Sequence, residues 1–349
     1  MENKLNIGVV FGGQSGEHEV SRVSAYNVLG VIDREKYNIV TIGISKKGKW
    51  FLYSGDSEKI KDGSWEQDQA NLTPDIPIFS HPEITKIDVF FPVLHGPMGE
   101  DGTIQGVFEM LNKPYVGCGV LSSAVGMDKV FSKVMFESVG IPTGKYIYFR
   151  QNDWKKDAEG KIAEIEAALG YPIFVKPANM GSSVGINKAH DKKELIAAID
   201  EAFIYDNKLI LEAFVKGREI ECAVLEQDGV IRASIPGEVI PSKEFYDYEA
   251  KYSATEDSQV VIPANLSEEV TEKVRNYAIK AFEAIEGSGL SRVDFFVTEN
   301  DDILINEVNT LPGFTNISMY PKMWEATGIG YIELVDLIIA SAKRKRITI

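Results

Sequence analysis

Cysteine is nearly absent from this chain: Cys118 and Cys222 are the only two among 349 residues, both in apolar stretches and neither in a CxxC pair. That excludes a disulfide scaffold and reads as two buried free thiols in a reducing compartment. No run of eighteen apolar residues occurs, and Met1-Glu2-Asn3-Lys4 leads straight into a strand pattern. Neither a transmembrane span nor a signal peptide is expected, and the expected location is cytoplasmic, without a membrane partner. Positive charge is in deficit, 37 Lys and Arg against 52 Asp and Glu for a net charge of −15, which argues against a nucleic-acid partner. A local cluster of basic side chains can still hold an anionic substrate against that global field. No internal repeat or low-complexity linker is visible, and the length fits two or three packed domains.

What is there begins with alternating strand-like and helix-like segments: Leu5 to Phe11, Val20 to Ile32, Tyr37 to Ser45, Ile87 to Leu94 and Thr103 to Leu111. This is the βαβ pattern of a parallel sheet with helices packed on it. A polar-capped helix from Ser122-Ser123 to about Val139 stops at Gly140-Ile141-Pro142. A second unit follows, with strands at Tyr146 to Phe149, Ile173 to Lys176 and Leu209 to Phe214 and helices at Lys161 to Leu169 and Lys192 to Phe203. A third unit is mostly antiparallel and holds a long helix, Glu268 to Glu286, and a last one from Ile332. Its polar excursion, Pro241 to Gln259, is the natural candidate for a lid. Domains are expected at 1–122, 123–217 and 218–349.

The segment that says most is Arg292-Val293-Asp294-Phe295-Phe296-Val297 followed, across Thr298-Glu299-Asn300-Asp301-Asp302, by Ile303-Leu304-Ile305-Asn306-Glu307-Val308-Asn309-Thr310. Two apolar, β-prone arms around a turn-rich centre make a β-hairpin. A turn centred on Asn300-Asp301 sets Asp294 directly across from Glu307, with Cβ atoms roughly 5 Å apart, and alternation puts Asn309 on the face of Glu307. An exposed polar face would be the bland reading, but facing carboxylates repel unless a cation joins them. An all-oxygen set suits Mg²⁺ bridging phosphates far better than Zn²⁺.

Four further segments carry polar chemistry. Lys176 ends a buried strand before Pro177-Ala178-Asn179-Met180-Gly181-Ser182-Ser183-Val184-Gly185, a loop able to offer N–H groups and hydroxyls to phosphate; it is not a Walker A motif. Leu209 to Glu219 offers an apolar slot for an adenine, with Glu212 or Glu219 as acceptor for ribose hydroxyls, although a strand edge with solvated charges fits it equally well. Phe11 to Ser21 and Leu94 to Gly102 lie at the carboxyl ends of strands, where ligands bind in doubly wound sheets. In the first, Glu17 is placed to hold a substrate ammonium, although a charge interaction with the helix N-terminus explains it equally well; in the second, His95 alone of four histidines combines a strand end with flanking glycine, against the commoner structural role of a lone histidine. The excursion carries Phe245-Tyr246-Asp247-Tyr248-Glu249-Ala250-Lys251-Tyr252, which either anchors a loop or closes over a reacting site and delivers Lys251 to phosphate.

In this order, FGGQSGEHEVS, LHGPMGEDGTIQG, MDK, FVKPANMGSSVG, FYDYEAKY, SRVDFF and NEVNTLPGFT resemble the ATP-grasp superfamily and, within it, the D-alanine–D-alanine ligases, over almost the whole chain. The resemblance implies an α/β, three-domain ATP-grasp fold with an N-terminal doubly wound, Rossmann-like domain, a homodimer, and ATP-dependent joining of two D-alanines through a D-alanyl phosphate for peptidoglycan synthesis. It further implies that Lys129, Lys176 and Lys251 contact the phosphates with the Ser182-Ser183 loop, that Glu212, Ala213, Phe214 and Val215 line the adenine pocket, that Glu219 takes the ribose, and that Asn306 also contacts the nucleotide. Asp294, Glu307 and Asn309 would hold two Mg²⁺, or Mn²⁺. Arg292 and the Gly313 N–H would stabilise the oxyanion, Glu17 would orient the first ammonium, Ser182 and Tyr252 would form a link closing the lid, His95 would lie by the first substrate, and Ser318 and Met319 would meet the second carboxylate. Many relatives carry Lys where this chain has Ala213, so one side-chain contact to the adenine is missing.

Other readings remain in view. D-lactate or D-serine as second substrate uses the same scaffold, though Tyr252 and Ser318-Met319-Tyr320 look like the dipeptide type. A nucleotide-binding regulatory module is disfavoured by the complete set of Lys176, Arg292, Asp294, Glu307 and Asn309, and a Rossmann oxidoreductase by the missing glycine fingerprint.

Overall fold

The computed structural model describes residues 4–240 and 259–344. Its first sheet comprises β1 (Leu5–Gly12), β2 (Tyr37–Ile44), β3 (Trp50–Tyr53), β4 (Leu72–Thr73) and β5 (Val89–Val93), ordered β4-β3-β2-β1-β5. β1 runs parallel to both β2 and β5, as the βαβ pattern implies, and β3 and β4 extend the sheet antiparallel. The last two escape a sequence reading because runs of two to four residues carry no usable period. Ile7, Val9, Val10 and Phe11 are fully buried, as a central parallel strand covered on both faces requires. The carboxyl ends of β1 and β5 carry the loops with Glu17 and His95.

The second sheet, β6 (Tyr146–Arg150), β7 (Ile173–Pro177), β8 (Asn187–Ala189) and β9 (Lys208–Ala213), has the order β6-β9-β7-β8 and is antiparallel throughout. The single helix expected up to Val139 is two, Val120–Met127 and Lys129–Ser138. Asp128 breaks it by capping the second helix, accepting from the Val130 and Phe131 N–H groups at 3.1 and 3.2 Å. Its other oxygen meets Lys208, which fixes the start of the helix against β9 and sends Lys129 toward the β7–β8 loop. The expected division after residue 122 falls inside the first of these helices, and the one after 217 at the first residue of the next strand.

The third sheet holds β10 (Gly217–Gln227), β11 (Val230–Ala233), β12 (Gly237–Ile240), β13 (Gln259–Val261), β14 (Leu290–Thr298) and β15 (Ile303–Asn309), ordered β13-β12-β10-β14-β15 with β11 also on β10. The helix Glu268–Ala284 buries Val270, Val274, Ala278 and Ala281 at helical spacing against this sheet. A separate core joins the first and third sheets: Val9, Phe91 and Val93 pack with Leu225, Tyr320, Trp324, Leu334 and Ile338. Side chains of this size stabilise by about 1.5–3 kcal/mol each when buried, so the first sheet is held firmly against β10 and the helices Met319–Thr327 and Tyr331–Arg344 that follow β15. Residues 241–258, with Lys251 and Tyr252, lie outside the described residues. No described helix is long and apolar enough to cross a membrane.

Candidate active site

The hairpin wall is built differently from the expectation and reaches the same pairing. Its turn is the three-residue loop Glu299-Asn300-Asp301, with Asp301 left-handed at φ 61° and the Thr298 N–H donating to Asp302 O at 3.0 Å. From there Val297 pairs with Ile303, Phe296 with Leu304 and Phe295 with Ile305. Continued unchanged, that register would oppose Asn306 to Asp294 and turn Glu307 into the core. A β-bulge intervenes, Asn306 becomes the extra residue, and Asp294 pairs with Glu307 and Arg292 with Asn309. Asn306 and Glu307 both face the cleft.

Arg292 shares that face. Its Nε and Nη2 donate to Asp294 Oδ1 and Oδ2 at 2.7 and 2.6 Å, a bidentate pair, and Nε also lies 3.0 Å from Glu221 Oε2. Burial would lower the Arg292 pKa, but Asp294 and Glu221 outweigh it and hold the group well above its ordinary value. Asn309 Nδ2 lies 3.4 Å from Asp294 Oδ2, and Lys129 Nζ 3.9 Å from Glu307 Oε2. Among the described residues no three His, Cys, Asp or Glu side chains form a metal cluster, so a cation here would rest on two carboxylates and the Asn309 amide. Those hard oxygens fit Mg²⁺; Arg292 now neutralises one of them.

Beside this wall lies a cavity of about 450 Å³ lined by Lys176, Ser182, Ser183, Ala213, Phe214, Val215, Glu219 and Asn306 among others. Phe174, Phe214, Ile186 and Ile305 give it apolar sides, and Lys188 sits 4.5 Å over the Phe214 ring. The Ala213 N–H is already donated to Lys145 O at 3.0 Å, so at that residue only the carbonyl can meet a base. Glu212 departs from the sequence reading as a ribose acceptor. Its carboxylate is held between Lys133 Nζ at 2.7 Å and Lys176 Nζ at 2.5 Å, which leaves Glu219, on β10, as the acidic acceptor of the two. Burial would raise the Glu212 pKa, but the two ammonium groups hold it far below the carboxylate range. Ser182 and Ser183 both adopt left-handed φ, 48° and 60°, a conformation that costs a non-glycine residue about 1–2 kcal/mol and clusters at functional loops.

A second cavity, about 750 Å³, is lined by Glu17, His95, Arg292, Gly313, Ser318 and Met319. Ser182 donates its hydroxyl to Glu17 Oε1. His95 is buried, with Nδ1 3.1 Å from Leu311 O and Nε2 3.1 Å from Ser24 Oγ. A carbonyl only accepts, so Nδ1 carries hydrogen; burial lowers the His95 pKa and the ring is neutral at pH 7. Ser318 Oγ accepts from the Thr315 N–H at 3.0 Å, which tightens the turn after Gly313. Lys129, Met180, Gly181, Ser182, Glu221 and Glu307 line both cavities, so the two meet there.

The model for the D-ala D-ala ligase N-terminus matches residues 6–118, and that for the D-ala D-ala ligase C-terminus matches residues 135–340. The chain belongs to the D-alanine–D-alanine ligase family. The D-alanine--D-alanine ligase of Acetivibrio thermocellus is 50% identical over 99% of this chain and 97% of its own length, and that of Halothermothrix orenii 50% over 99% and 100%. Among solved structures, the VanG D-Ala:D-Ser ligase from Enterococcus faecalis superposes with a TM-score of 0.88 at 39% identity, covering 97% of this chain and 100% of that one. The D-alanine-D-alanine ligase from Coxiella burnetii gives 0.83 at 37% identity over 98% and 95%. The fold is therefore that of the ATP-grasp ligases.

Three side chains of this family member escaped the sequence reading. Lys133 is four residues after Lys129, on the same helical face, and Glu221 two after Glu219 in one strand; both spacings were legible. Glu100, in the His95 loop, accepts from the Gly96 N–H at 2.8 Å. Burial and the nearby Glu17 carboxylate push its pKa well up.

Proposed function

We propose that this chain joins two D-alanines at the expense of ATP, forming D-alanyl-D-alanine for peptidoglycan precursors. The observation that carries the reading is the meeting of two cavities at Lys129, Ser182 and Glu307, one apolar-walled and lysine-rich, the other lined by both the buried Glu17 carboxylate and Arg292. ATP takes the first cavity, its adenine between Phe174, Phe214 and Val215, its ribose at Glu219, its phosphates along Lys176, Lys129 and the Ser182-Ser183 loop near Asn306, with Lys251 as a further phosphate ligand. The first D-alanine sets its ammonium on Glu17, beside His95, and its carboxylate toward Arg292 and the Gly313 N–H. A carboxylate oxygen attacks the terminal phosphorus and ADP leaves. The amine of the second D-alanine, held by its carboxylate near Ser318 and Met319, then attacks the acyl carbon, loses a proton and expels phosphate. Arg292 and Gly313 donate to the oxyanion of that step. Closure of 241–259, with Tyr252 reaching the Ser182–Glu17 pair, excludes water from the acyl phosphate.

Two Mg²⁺ ions, or Mn²⁺, held by Asp294, Glu307 and Asn309 would screen the phosphate charge. Homodimeric assembly, a cytoplasmic location and the three-domain division belong to the same reading. The likeness to a D-Ala:D-Ser ligase makes the second substrate the point to test. Incubation with ATP, Mg²⁺ and equal D-alanine, D-serine and D-lactate, followed by mass spectrometry, should yield mainly D-alanyl-D-alanine and phosphate. A product dominated by the D-serine or D-lactate conjugate overturns the assignment.

A further inference from the structure

Arg292 has two carboxylates within reach and uses them unequally. Nε carries one hydrogen, and that hydrogen goes to Asp294 Oδ1 at 2.7 Å while Nη2 completes the fork on Oδ2 at 2.6 Å. The 3.0 Å approach of Nε to Glu221 Oε2 is thus a charge contact rather than a second hydrogen bond. Glu221 faces Asp294 directly across β10 and β14, as Glu307 does across β14 and β15. Three carboxylates therefore stand in one row over three adjacent strands, with the guanidinium above the middle one.

With each Asp294 oxygen already accepting from Arg292, a divalent cation meets only the remaining lone pairs, so ligation competes with the fork for the charge of the same carboxylate. A guanidinium that left Asp294 with no other partner would be a buried, uncompensated charge, which is strongly unfavourable. We propose that Glu221 is a positioning residue that takes over Arg292 when Asp294 turns to the metal, holding the guanidinium in the cleft where the oxyanion forms. A rotation of the planar fork about the Arg292 side chain suffices, because Glu221 already lies at hydrogen-bonding distance. This inference rests on the metal reading of Asp294 and Glu307 given above.

The test measures Mn²⁺ binding by electron paramagnetic resonance, using the full-length protein with a non-hydrolysable ATP analogue. Glu221→Gln is expected to weaken Mn²⁺ binding about tenfold, the size of a hydrogen bond between charged groups, and to lower kcat with little change in the KM for D-alanine. Removing a negative charge near the cation would weaken binding too, so the decisive comparison is a double-mutant cycle with Arg292→Met. If Glu221 acts through Arg292, Glu221→Gln changes Mn²⁺ affinity less than twofold in the Arg292→Met background; a persistent tenfold loss there overturns the proposal. Glu221→Asp, which keeps the charge and folds with less perturbation, should bind Mn²⁺ more tightly than Glu221→Gln, and equal weakening of the two counts against the proposal. Asp294→Asn separates the two levels: unchanged Mn²⁺ affinity in that variant removes the metal reading itself, whereas a loss there with none in Glu221→Gln removes only the present inference.

Discussion

Glu307 stands opposite Asp294 because the strand that carries it holds one residue more than its partner, Asn306 being the extra one. The bulge shifts the alternation of β15 by one residue, so that Glu307 and Asn309 pair with Asp294 and Arg292 and line the cavities. If this carboxylate pair holds Mg²⁺ as proposed, it should be intolerant of neutralisation for turnover, while at Asp294 neutralisation should cost little for folding, since Arg292 would keep Glu221 as a partner. Asp294→Asn and Glu307→Gln should each lower turnover at saturating ATP by about a hundredfold or more. Phosphate release over a range of Mg²⁺ concentrations, with Tm alongside, checks this; near-normal turnover in either variant removes that residue from the metal assignment.

The fold was legible wherever side chains repeat with a clear period over enough residues. β1, β14 and the helix Glu268–Ala284 are such cases, and the parallel pairing of β1 with β2 and β5 followed from the order of elements. β3 and β4 were too short, and the break at Asp128 was hidden because an N-cap inside a helical pattern looks like one more polar position. In the site, Asp294 and Glu307 could be paired on paper although the turn was assigned one residue too symmetrically. The bulge corrected that offset, and a bulge leaves no signature beyond an irregular alternation, here Ile305-Asn306-Glu307-Val308. Glu212 lines the cavity, but its pairing with two lysines was hidden for a different reason. Its partners Lys133 and Lys176 come from a helix and another strand, and only tertiary packing brings them together.

Glu212 makes a pH-dependent contribution whose sign follows from those lysines. Its folded pKa lies below the ordinary 4.5, so the stabilisation is complete above about pH 4.5 and is lost as pH falls below that toward the folded value. Lys133→Met should flatten this acid limb, lower stability at neutral pH by about 1–3 kcal/mol, and raise the KM for ATP, because Lys176 then becomes the sole counter-charge of Glu212. Urea unfolding at pH 3.5 and pH 7 measures the first two effects. Equal destabilisation of parent and variant on acidification would show that Glu212 is not the group responsible.

His95 acts in this arrangement as a neutral strut, not as a proton carrier. Its Nδ1–H holds the Leu311 carbonyl, two residues before Gly313, while Ser24 satisfies Nε2. With a folded pKa below 6.5, the unfolded chain takes up the proton first, so this histidine supports the fold above about pH 6.5 and opposes it as pH falls. Turnover between pH 6.5 and 8 should therefore carry no limb from His95. Ser24→Ala should raise the KM for the first D-alanine several-fold and leave the KM for ATP alone. Histidine NMR across that range gives the direct check, and a ring titrating near pH 7 would contradict the neutral assignment.

Space around Glu17 makes the last expectation specific to position. A Cβ added at Gly96 would come within 2.4 Å of Glu17 Oε2, at a backbone φ of +72°, whereas one added at Gly181 would meet the same oxygen at 2.9 Å without a left-handed backbone. Gly96→Ala therefore combines a clash with about 1–2 kcal/mol of backbone strain, and Gly181→Ala needs only a small shift of the carboxylate. Both should raise the KM for the first D-alanine, Gly96→Ala by more and with a lower Tm, because each displaces the carboxylate that Ser182 holds. Glu17→Gln keeps the shape and removes the charge, so it should raise that KM about tenfold or more with Tm little changed. If Glu17→Gln leaves the D-alanine KM untouched while Gly96→Ala raises it, the carboxylate shapes the pocket without binding the ammonium, and the charge must be met by another group.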